Sequence, residues 1–369
     1  MNLVTNIETI TYCVIPIKGM KPSFIPIWFD SLGAKSSCVL IRTNSSSVLI
    51  DPGIAIMHRS FPAPPEIKRR WCKEGYQAIM RASRKAEVIV ITHYHYDHFT
   101  DFEEMLYRGK VLLVKNPNLF INDSQRNRAM SFFSHLYEVY DIDLRDVLEE
   151  PEEVEPADPL LELPEANAKD FGDYNPRRRE LLTMGRRWFE RRVEKWNKYR
   201  RVPELKLPNV EVRFADGREF RFGAMTLRFT KPLFHGVEFS RVGWVLGLIV
   251  ECGDWKLLYS SDLNGPIIED YSSWIISEKP NVIILDGPMT YMFGYVLNRV
   301  NLRRAIDNAI RIVREAGAEL ILYDHHLPRE PKFKERTKEV WKAAEAEGVR
   351  LMTVAEYLGL EPAVLRYVH

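Results

Sequence analysis

The sequence predicts an α/β protein whose functional groups lie at the end of one buried strand. Short apolar stretches typical of strands, such as Val88–Ile91 and Asn281–Leu285, are interspersed with helical segments such as Glu66–Lys85 and Leu302–Ala316. Directly after Val88–Ile91 the chain continues T-H-Y-H-Y-D-H, which holds three histidines and one aspartate within six residues. We therefore expect an α/β framework that presents this cluster at a strand end.

Length and composition indicate a globular protein with a large core. The 369 residues suffice for one domain with an insertion, and 46% of them are hydrophobic. The net charge of +1 creates no general attraction for nucleic acid. No apolar run is long enough to span a membrane, and the N-terminus does not resemble a signal peptide. We therefore expect a cytoplasmic protein with no membrane partner; composition leaves its oligomeric state open.

The four cysteines predict a reducing compartment. Cys13, Cys38, Cys72 and Cys252 are far apart in sequence, and none belongs to a C-x-x-C pair. This spacing argues against a disulfide framework and against a cysteine zinc site.

The cluster after the strand has the composition of a metal site. His93, His95, Asp97 and His98 offer imidazole nitrogens and a carboxylate oxygen, which are the ligands of borderline metals such as zinc. The end of a strand is rigid, and the chain that curls beyond it can bring these side chains to one point. A polar loop that happens to be rich in histidine is the alternative, and the density of ligand types argues against it.

The pattern H-x-H-x-D-H after a hydrophobic strand resembles the signature of the metallo-β-lactamase superfamily. The resemblance implies a four-layer αβ/βα sandwich with a dinuclear metal site at one edge, and further ligands later in the chain. The strings F-D-S-L-G-A-K-S, D-G-P-M-T-Y and D-H-H-L-P-R-E look like an archaeal branch of this superfamily. They imply a fold and a site but no particular substrate.

The first half of the predicted single domain, residues 1–115, is expected to be rich in strands. A hairpin is predicted around Thr43–Ser46, and its second strand ends in Asp51-Pro52-Gly53. The resemblance implies that Asp51 lies beneath the metal site and supports the histidine loop; a surface turn is the alternative. The other predicted elements are strands at Val14–Ile17, Ile25–Phe29, Ser37–Arg42, Ser47–Ile50 and Lys110–Lys115, and a helix at Asp101–Arg108.

Residues 116–207 are predicted to be a charged insertion or lid between the two halves. Asp141–Glu165 holds eleven acidic residues, one basic residue and four prolines, which exclude a long helix. Arg177–Arg201 holds eleven basic and three acidic residues, and its apolar residues recur at helical spacing. This helix could grip RNA phosphates. We favour the alternative, in which its apolar stripe packs on the domain and its arginines meet the acidic stretch.

The second half, residues 208–369, is predicted to alternate strands and helices. Two strands within Val210–Phe222 are expected to form a hairpin at Asp216-Gly217. Glu319–Tyr323 is predicted as the last core strand, and Lys332–Glu347 as a helix after it. Leu227–Phe229, Val242–Val250 and Trp255–Ser261 complete the predicted strands.

The resemblance also implies the remaining metal ligands. His235 follows the strand Leu227–Phe229 and would join His93 and His95 on one metal. Asp262 ends the strand Trp255–Ser261 and would bind both metals. His325 follows the strand Glu319–Tyr323 and would join Asp97 and His98 on the second metal; His326 is an alternative ligand or a proton donor.

A site of this kind implies hydrolysis. Two divalent ions can share a water and lower its pKa, so that the resulting hydroxide is the nucleophile. Asp97 and Asp262 would orient this water, and His326, Tyr96 or Tyr291 would supply a proton to the leaving group. Zinc is favoured because the ligand set lacks soft donors, and manganese or iron are alternatives. The redox branch of the superfamily carries glutamate at the position of His95, so oxygen or NO reduction is disfavoured.

Three functions follow, in order of preference. The first is a metal-dependent hydrolase of a small-molecule ester, thioester, lactone or phosphodiester. The second is an RNA-processing endonuclease of the tRNA 3′-end type, because Arg329 follows His325 in an H-x-x-x-R pattern and the basic helix could hold RNA. The third is a scaffold without activity, which the complete set of ligands argues against.

Overall fold

Two seven-stranded β-sheets dominate residues 22–367, the part of the chain that this computed structural model describes. The predicted strand Val14–Ile17 and Cys13 lie outside these residues. The first sheet has the order β1-β2-β3-β4-β5-β7-β6. Its strands are β1 Ser23–Phe29, β2 Ser37–Arg42, β3 Ser47–Ile50, β4 Val88–Ile91, β5 Lys110–Val114, β6 Leu205–Leu207 and β7 Val210–Phe214.

The second sheet comes entirely from the later part of the chain. Its order is β16-β15-β14-β13-β12-β9-β8, and a separate ribbon pairs β10 with β11. The strands are β8 Glu219–Phe222, β9 Met225–Phe229, β10 Leu233–Phe234, β11 Trp244–Val245, β12 Leu248–Cys252, β13 Trp255–Tyr259, β14 Val282–Asp286, β15 Leu320–Asp324 and β16 Arg350–Met352. Strands β13 to β16 run parallel, so the carboxyl ends of β13, β14 and β15 meet at one edge.

Alternate side chains of each central strand enter different cores. Val88 and Val90 of β4 pack in the core between the two sheets, where they share a cluster with residues such as Leu257 of β13. Ile89 and Ile91 of the same strand point to the opposite face and join the core beneath the helices. This division produces the predicted four layers, with a continuous apolar strand buried on both faces.

Helices cover the outer faces of both sheets. Helix α1 (Pro65–Ser83) packs against β1, and α8 (Arg299–Glu315) packs between α7 (Glu269–Glu278) and α10 (Lys338–Glu347). The helices are α1 Pro65–Ser83, α2 Glu104–Tyr107, α3 Asp123–Glu138, α4 Leu144–Val147, α5 Pro164–Ala168, α6 Asn175–Trp196, α7 Glu269–Glu278, α8 Arg299–Glu315, α9 Phe333–Arg336, α10 Lys338–Glu347 and α11 Val354–Tyr357. Within the described residues, no helix is long and apolar enough to cross a bilayer.

The predicted hairpin at Asp216-Gly217 is wrong. Strand β7 pairs with β5 and β6 in the first sheet, whereas β8 pairs with β9 in the second. The chain therefore passes from the first sheet to the second at this turn. Lys115 and the main-chain N–H of Asn116 both bind the Asp216 carboxylate, at 2.5 and 2.7 Å, and hold the turn against the first sheet. Turn residues predict a reversal of the chain, but they do not determine which strand each arm pairs with.

Other elements differ from the prediction in extent. Leu205–Leu207, which the sequence places in the insertion, belongs to the first sheet, and β16 rather than β15 is the edge strand of the second. The helix predicted at Asp101–Arg108 is a single turn, α2. The helix predicted at Lys332–Glu347 is two helices, α9 and α10, because Thr337 departs from helical dihedrals and its hydroxyl donates to the Phe333 carbonyl at 2.7 Å.

Candidate metal centre

Five strand ends from both sheets converge on one buried site. Strands β3 and β4 lie parallel in the first sheet and end in Asp51 and in the loop of residues 92–98. Strands β13, β14 and β15 end at one edge of the second sheet and lead to Asp262, Asp286 and His325. Because the sheets pack face to face, these ends meet across the interface. We call the convergent residues the His–Asp centre; they are His93, His95, Asp97, His98, His235, Asp262 and His325.

One group of the His–Asp centre joins the first pair of histidines to the second half of the chain. The ring nitrogens Nε2 of His93 and Nδ1 of His95 are 3.0 Å apart. His235 Nε2 lies 2.9 Å from Oδ2 of Asp262, and His93 Nε2 lies 3.7 Å from the same oxygen. These four side chains form one set of donor atoms that could hold a metal ion.

The second group lies on the other side of Asp262. His98 Nε2 and His325 Nε2 are 3.0 Å apart, and Asp97 Oδ2 is 3.9 Å from His325 Nε2. Asp262 Oδ2 is 3.6 Å from His98 Nε2 and 3.7 Å from His325 Nε2. Asp97, His98 and His325 form a further set able to hold a metal ion. One oxygen of Asp262 therefore faces the inward nitrogens of both groups.

The donor atoms fit divalent metal ions. Zinc–nitrogen distances of about 2.05 Å place two tetrahedral ligand nitrogens about 3.3 Å apart, close to the two nitrogen–nitrogen distances of 3.0 Å. Oδ1 of Asp262 is buried and makes no hydrogen bond, although Nδ1 of His326 lies 3.2 Å from it. A buried carboxylate oxygen that makes no hydrogen bond is costly unless a cation engages it. The set contains only imidazoles and carboxylates, which suits zinc better than a soft metal.

The protonation states of His93, His95 and Asp262 also suit metal binding. Burial lowers the pKa of His93 well below its usual value and lowers the pKa of His95 to about 3, so both rings are neutral. Burial raises the pKa of Asp262, but the His235 and His326 rings lower it more, and the net result is a carboxylate with a pKa well below its usual range. Neutral imidazole and ionised carboxylate are the forms that bind metals.

Asp51 orients His98 from below. Its fully buried carboxylate accepts from Nδ1 of His98 at 2.8 Å, which leaves Nε2 to face the centre. The same carboxylate accepts from the Tyr259 hydroxyl at 2.8 Å and from the hydroxyl and N–H of Thr92 at 2.6 and 2.8 Å. Asp51 thus links the end of β3 to β4 in the first sheet and to β13 in the second, and it fixes the orientation of the His98 ring.

Asn264, which the sequence did not single out, orients His235. Its Nδ2 lies 2.8 Å from Nδ1 of His235, whereas its Oδ1 is buried with no partner. A half-turn of the amide lets Oδ1 accept from Nδ1–H, and Nε2 of His235 then keeps its lone pair for a metal. The need for a free Nε2 on His235 therefore favours this amide orientation.

A second missed group supports Asp97 and His325. Asp30 accepts from Nε of Arg329 and from the main-chain N–H of His326, and its Oδ1 lies 3.3 Å from Nδ1 of His325. Arg329 reaches onward to Asp97 Oδ2 at 3.3 Å and to the Tyr291 hydroxyl at 3.1 Å. Asp30 lies in the string F-D-S-L-G, which indicated the family but assigned no role to the aspartate.

The two adjacent histidines point in different directions. His325 faces His98 and Asp97, whereas Nδ1 of His326 lies 3.0 Å from Asp286 Oδ1 and 3.2 Å from Asp262 Oδ1. Burial lowers the pKa of His326, and burial together with the charge of Asp262 raises the pKa of Asp286 well above its usual value. These opposite shifts favour a proton on the Asp286 carboxyl over one on the His326 ring.

Strained backbone is concentrated at the site. Asp51, Ser261, Asn264, His325 and His326 all have positive φ, between 22° and 57°, although none is a glycine. Such conformations cost about 1–3 kcal/mol each and persist only where the surroundings enforce them. Here the hydrogen bonds to Asp51, Asp30 and Asp286 enforce them.

The charged insertion packs against the loop that carries His235. Trp188 of α6 stacks on Trp244 of β11 at 5.5 Å, and Phe189 and Trp196 of α6 are buried beside it. Arg186 pairs with Asp158 of the acidic stretch at 2.6 Å. This arrangement agrees with the favoured packing role of the helix, although Arg179, Arg187 and Arg191 make no ion pair with a described residue and remain exposed.

Comparison with known proteins identifies relatives of this chain. The family model described as the metallo-beta-lactamase superfamily matches residues 33–166. A UPF0282 protein of Korarchaeum cryptofilum is 30% identical over 86% of this chain and 82% of its own, and one of Methanocaldococcus jannaschii is 30% identical over 91% of each. Among solved structures, the metallo-beta-lactamase fold protein YhfI of Bacillus subtilis is 12% identical over 90% of this chain and 95% of its own, with a TM-score of 0.41. The chain belongs to the UPF0282 family of these archaeal relatives.

Proposed function

We propose that the protein is a metal-dependent hydrolase that cleaves an ester, lactone, thioester or phosphodiester bond at a dinuclear site. The observation that carries this proposal is the position of Asp262, whose Oδ2 lies 2.9–3.7 Å from four imidazole nitrogens, two from each group of the His–Asp centre. A carboxylate between two ligand sets is the arrangement that a pair of metal ions would share.

The two groups divide the ligands as follows. His93, His95 and His235 would hold one ion, Asp97, His98 and His325 the other, and Asp262 both. When bound, the ions supply a water nucleophile that ionises near neutral pH and positive charge for the oxyanion of the transition state. Zinc suits the donor set best, with manganese or iron as alternatives.

The chain's own residues would orient the reacting groups and move protons. Arg329 holds the Asp97 carboxylate, which would orient the attacking water. His326 would deliver a proton to the leaving group: Asp286 holds its Nδ1 at 3.0 Å and can replace the proton that the ring passes on. The Tyr291 hydroxyl accepts a hydrogen bond from Arg329 at 3.1 Å. The exposed ring of Tyr96 stacks on Phe99, with 5.4 Å between the ring centroids. We therefore favour His326 over both tyrosines as the proton donor.

Metal content tests the proposal. Protein purified without added metal or chelator is analysed for metals, and we expect two equivalents, most of them zinc. Asp262→Ala should lose at least one equivalent because it removes the shared carboxylate. Asp254→Ala is the matched control, because Asp254 is exposed in the turn between β12 and β13.

Hydrolysis is then assayed with p-nitrophenyl acetate, a thioester, a lactone and bis(p-nitrophenyl) phosphate. Zinc-dependent turnover that disappears in Asp262→Ala supports the hydrolase. Failure to bind metal after zinc is added would contradict it and leave a scaffold, and two equivalents of iron would redirect the search to redox chemistry.

A further inference from the structure

One buried amide in helix α3 contacts both segments that carry the histidines of the first group of the His–Asp centre. The Gln125 side chain is fully buried. Its Oε1 accepts from the main-chain N–H of Tyr94 at 3.3 Å, and its Nε2 donates to the main-chain carbonyl of Val242 at 2.9 Å. Because the first partner can only donate and the second can only accept, these two bonds fix the orientation of the amide.

Tyr94 connects this amide to the first two candidate ligands. It lies between His93 and His95 in the sequence, so the position of its backbone determines where both rings begin. Its hydroxyl donates to the Lys115 carbonyl at 2.7 Å, and its own carbonyl accepts from Nε of Arg128, which also belongs to α3. Helix α3 therefore holds the backbone of this residue at both its N–H and its carbonyl.

Val242 connects the amide to the third histidine. It lies in the segment between β10 and β11, where the main-chain N–H of His235 donates to the Gly243 carbonyl at 3.0 Å. Asn122, which caps α3, also donates to the Val242 carbonyl, at 2.7 Å. A Cβ atom on Gly243 would lie 2.7 Å from Nε2 of Gln125, so a glycine here lets the amide come this close.

We propose that Gln125 is a positioning residue for the metal ion of the first group, because it fixes the spacing between the histidine loop and the β10–β11 ribbon. The main-chain N–H of Leu246 donates to the Thr92 carbonyl at 3.2 Å and joins the same two segments at a different point. Two segments joined at a single point can pivot about it, and the bridge between Tyr94 and Val242 removes that freedom. This inference rests on the proposed dinuclear site.

The bridge also implies that the two ions respond differently to changes in α3. The ligands of the second group have separate supports in Arg329, Asp51 and Asp30. Loss of the Gln125 bridge should therefore weaken binding of the first ion alone. Helix α3 lies within residues 116–207, so this part of the predicted insertion or lid would be a wall of the centre.

Zinc titration in two backgrounds tests the assignment. Gln125→Met keeps the length of the side chain and removes both hydrogen bonds. In His325→Ala, which retains the first group, we expect Gln125→Met to weaken zinc binding about 10- to 100-fold, as loss of a partner that orients metal ligands does. In His95→Ala, which retains the second group, Gln125→Met should leave zinc affinity unchanged. Any other pattern would overturn the proposal, since a general loss of stability would weaken both ions alike.

Asn118→Leu is the matched control in both backgrounds. Asn118 is also a buried amide with two main-chain hydrogen bonds, which join it to Val202 at 2.8 and 2.9 Å and do not involve the ligand segments. We expect Asn118→Leu to lower the denaturant midpoint, as Gln125→Met does, and to leave zinc affinity unchanged. A loss of zinc affinity in Asn118→Leu equal to that in Gln125→Met would overturn the specific role of Gln125.

Hydrogen exchange of the metal-free protein separates this inference from the proposed function. Peptides that cover residues 92–98 and 233–245 should exchange faster in Gln125→Met than in the wild type, and at the wild-type rate in Asn118→Leu. Zinc binding with unchanged exchange and unchanged affinity in Gln125→Met refutes the role of Gln125 and leaves the hydrolase standing. Absence of zinc binding in the wild type refutes the hydrolase, while exchange still decides whether Gln125 couples the two segments.

Discussion

Gly53 lies so close to the histidine loop that adding one methyl group should displace His98, a proposed metal ligand. A Cβ atom at this position would lie 2.2 Å from the main-chain N of Phe99 and 2.4 Å from the N and C of His98. All three are backbone atoms, so no side chain can rotate away. Ordinary contact begins at 3.4 Å, and the loop must therefore move by about 1.2 Å to accept Gly53→Ala.

That displacement exceeds what a metal site tolerates. Ligand distances in metal sites hold within about 0.2 Å, so a shift of His98 by several times that distance would break its coordination. Overpacking of this kind costs about 1–3 kcal/mol of folding free energy. We expect Gly53→Ala to be destabilised by this amount and to retain only the metal held by His93, His95 and His235.

Elemental analysis and denaturant unfolding of the same preparations measure both effects. Gly253→Ala is the control: Gly253 has a φ of 57° and open space around it, so alanine there costs about 1–2 kcal/mol without contact with the site. Gly253→Ala should lose stability and keep all its metal. If Gly53→Ala keeps all its metal too, the loop is more adaptable than the contacts imply and our placement of His98 as a ligand fails.

Three further predictions test the support around the centre and the role of the insertion. Asp51→Asn should weaken metal binding about 10- to 100-fold, since it replaces an acceptor of His98 Nδ1–H with an amide; a metal titration that matches the wild type would contradict this. Burial raises the pKa of Glu238, but Arg304 and Arg178 lower it further, to about 2, so its ion pairs stabilise the fold fully above pH 4.5 and progressively less as pH falls towards 2. Glu238→Gln should therefore cost about 3 kcal/mol at pH 7 and much less near pH 2, and an unfolding difference that does not vary with pH would refute the argument. Replacing the arginines at 186, 187 and 191 with glutamine should leave RNA affinity unchanged; a loss that grows at low salt would move the function towards RNA processing.

The convergence of the seven candidate ligands could be predicted from the sequence, partly from the chemistry of the histidine loop and partly from the family resemblance that implied His235, Asp262 and His325. Three histidines in the loop after β4, and polar residues directly after β13 and β15, stand out against apolar strands. Parallel strands bring such residues to one edge, and the structure does bring all seven together. The separate positions of His325 and His326 could not be predicted, because two adjacent residues with positive φ follow no regular geometry.

The supporting residues were missed because their partners are distant in sequence. Asp30 acts through Arg329 and His326, almost three hundred residues later, and Asn264 acts through a histidine whose own role came only from a family resemblance. A lone aspartate or asparagine gives no local signal of such pairing. The crossing at Asp216-Gly217 was missed for a related reason, since strand pairing is decided by tertiary contacts that turn residues do not encode.

These distant contacts also imply that the centre depends on the packing of the two halves. The first half of the chain supplies Asp51, Asp97 and His98, and the second half supplies Asp262, His325 and Arg329. Each donor group of the centre contains residues from both halves. Neither half alone can assemble a complete set of ligands. Metal binding should therefore favour the packed arrangement of the sheets, because binding free energy that requires both halves is also free energy of folding. The strained backbone at His325 and His326 also depends on this packing, because contacts from Asp30, in the first half of the chain, hold the turn in place.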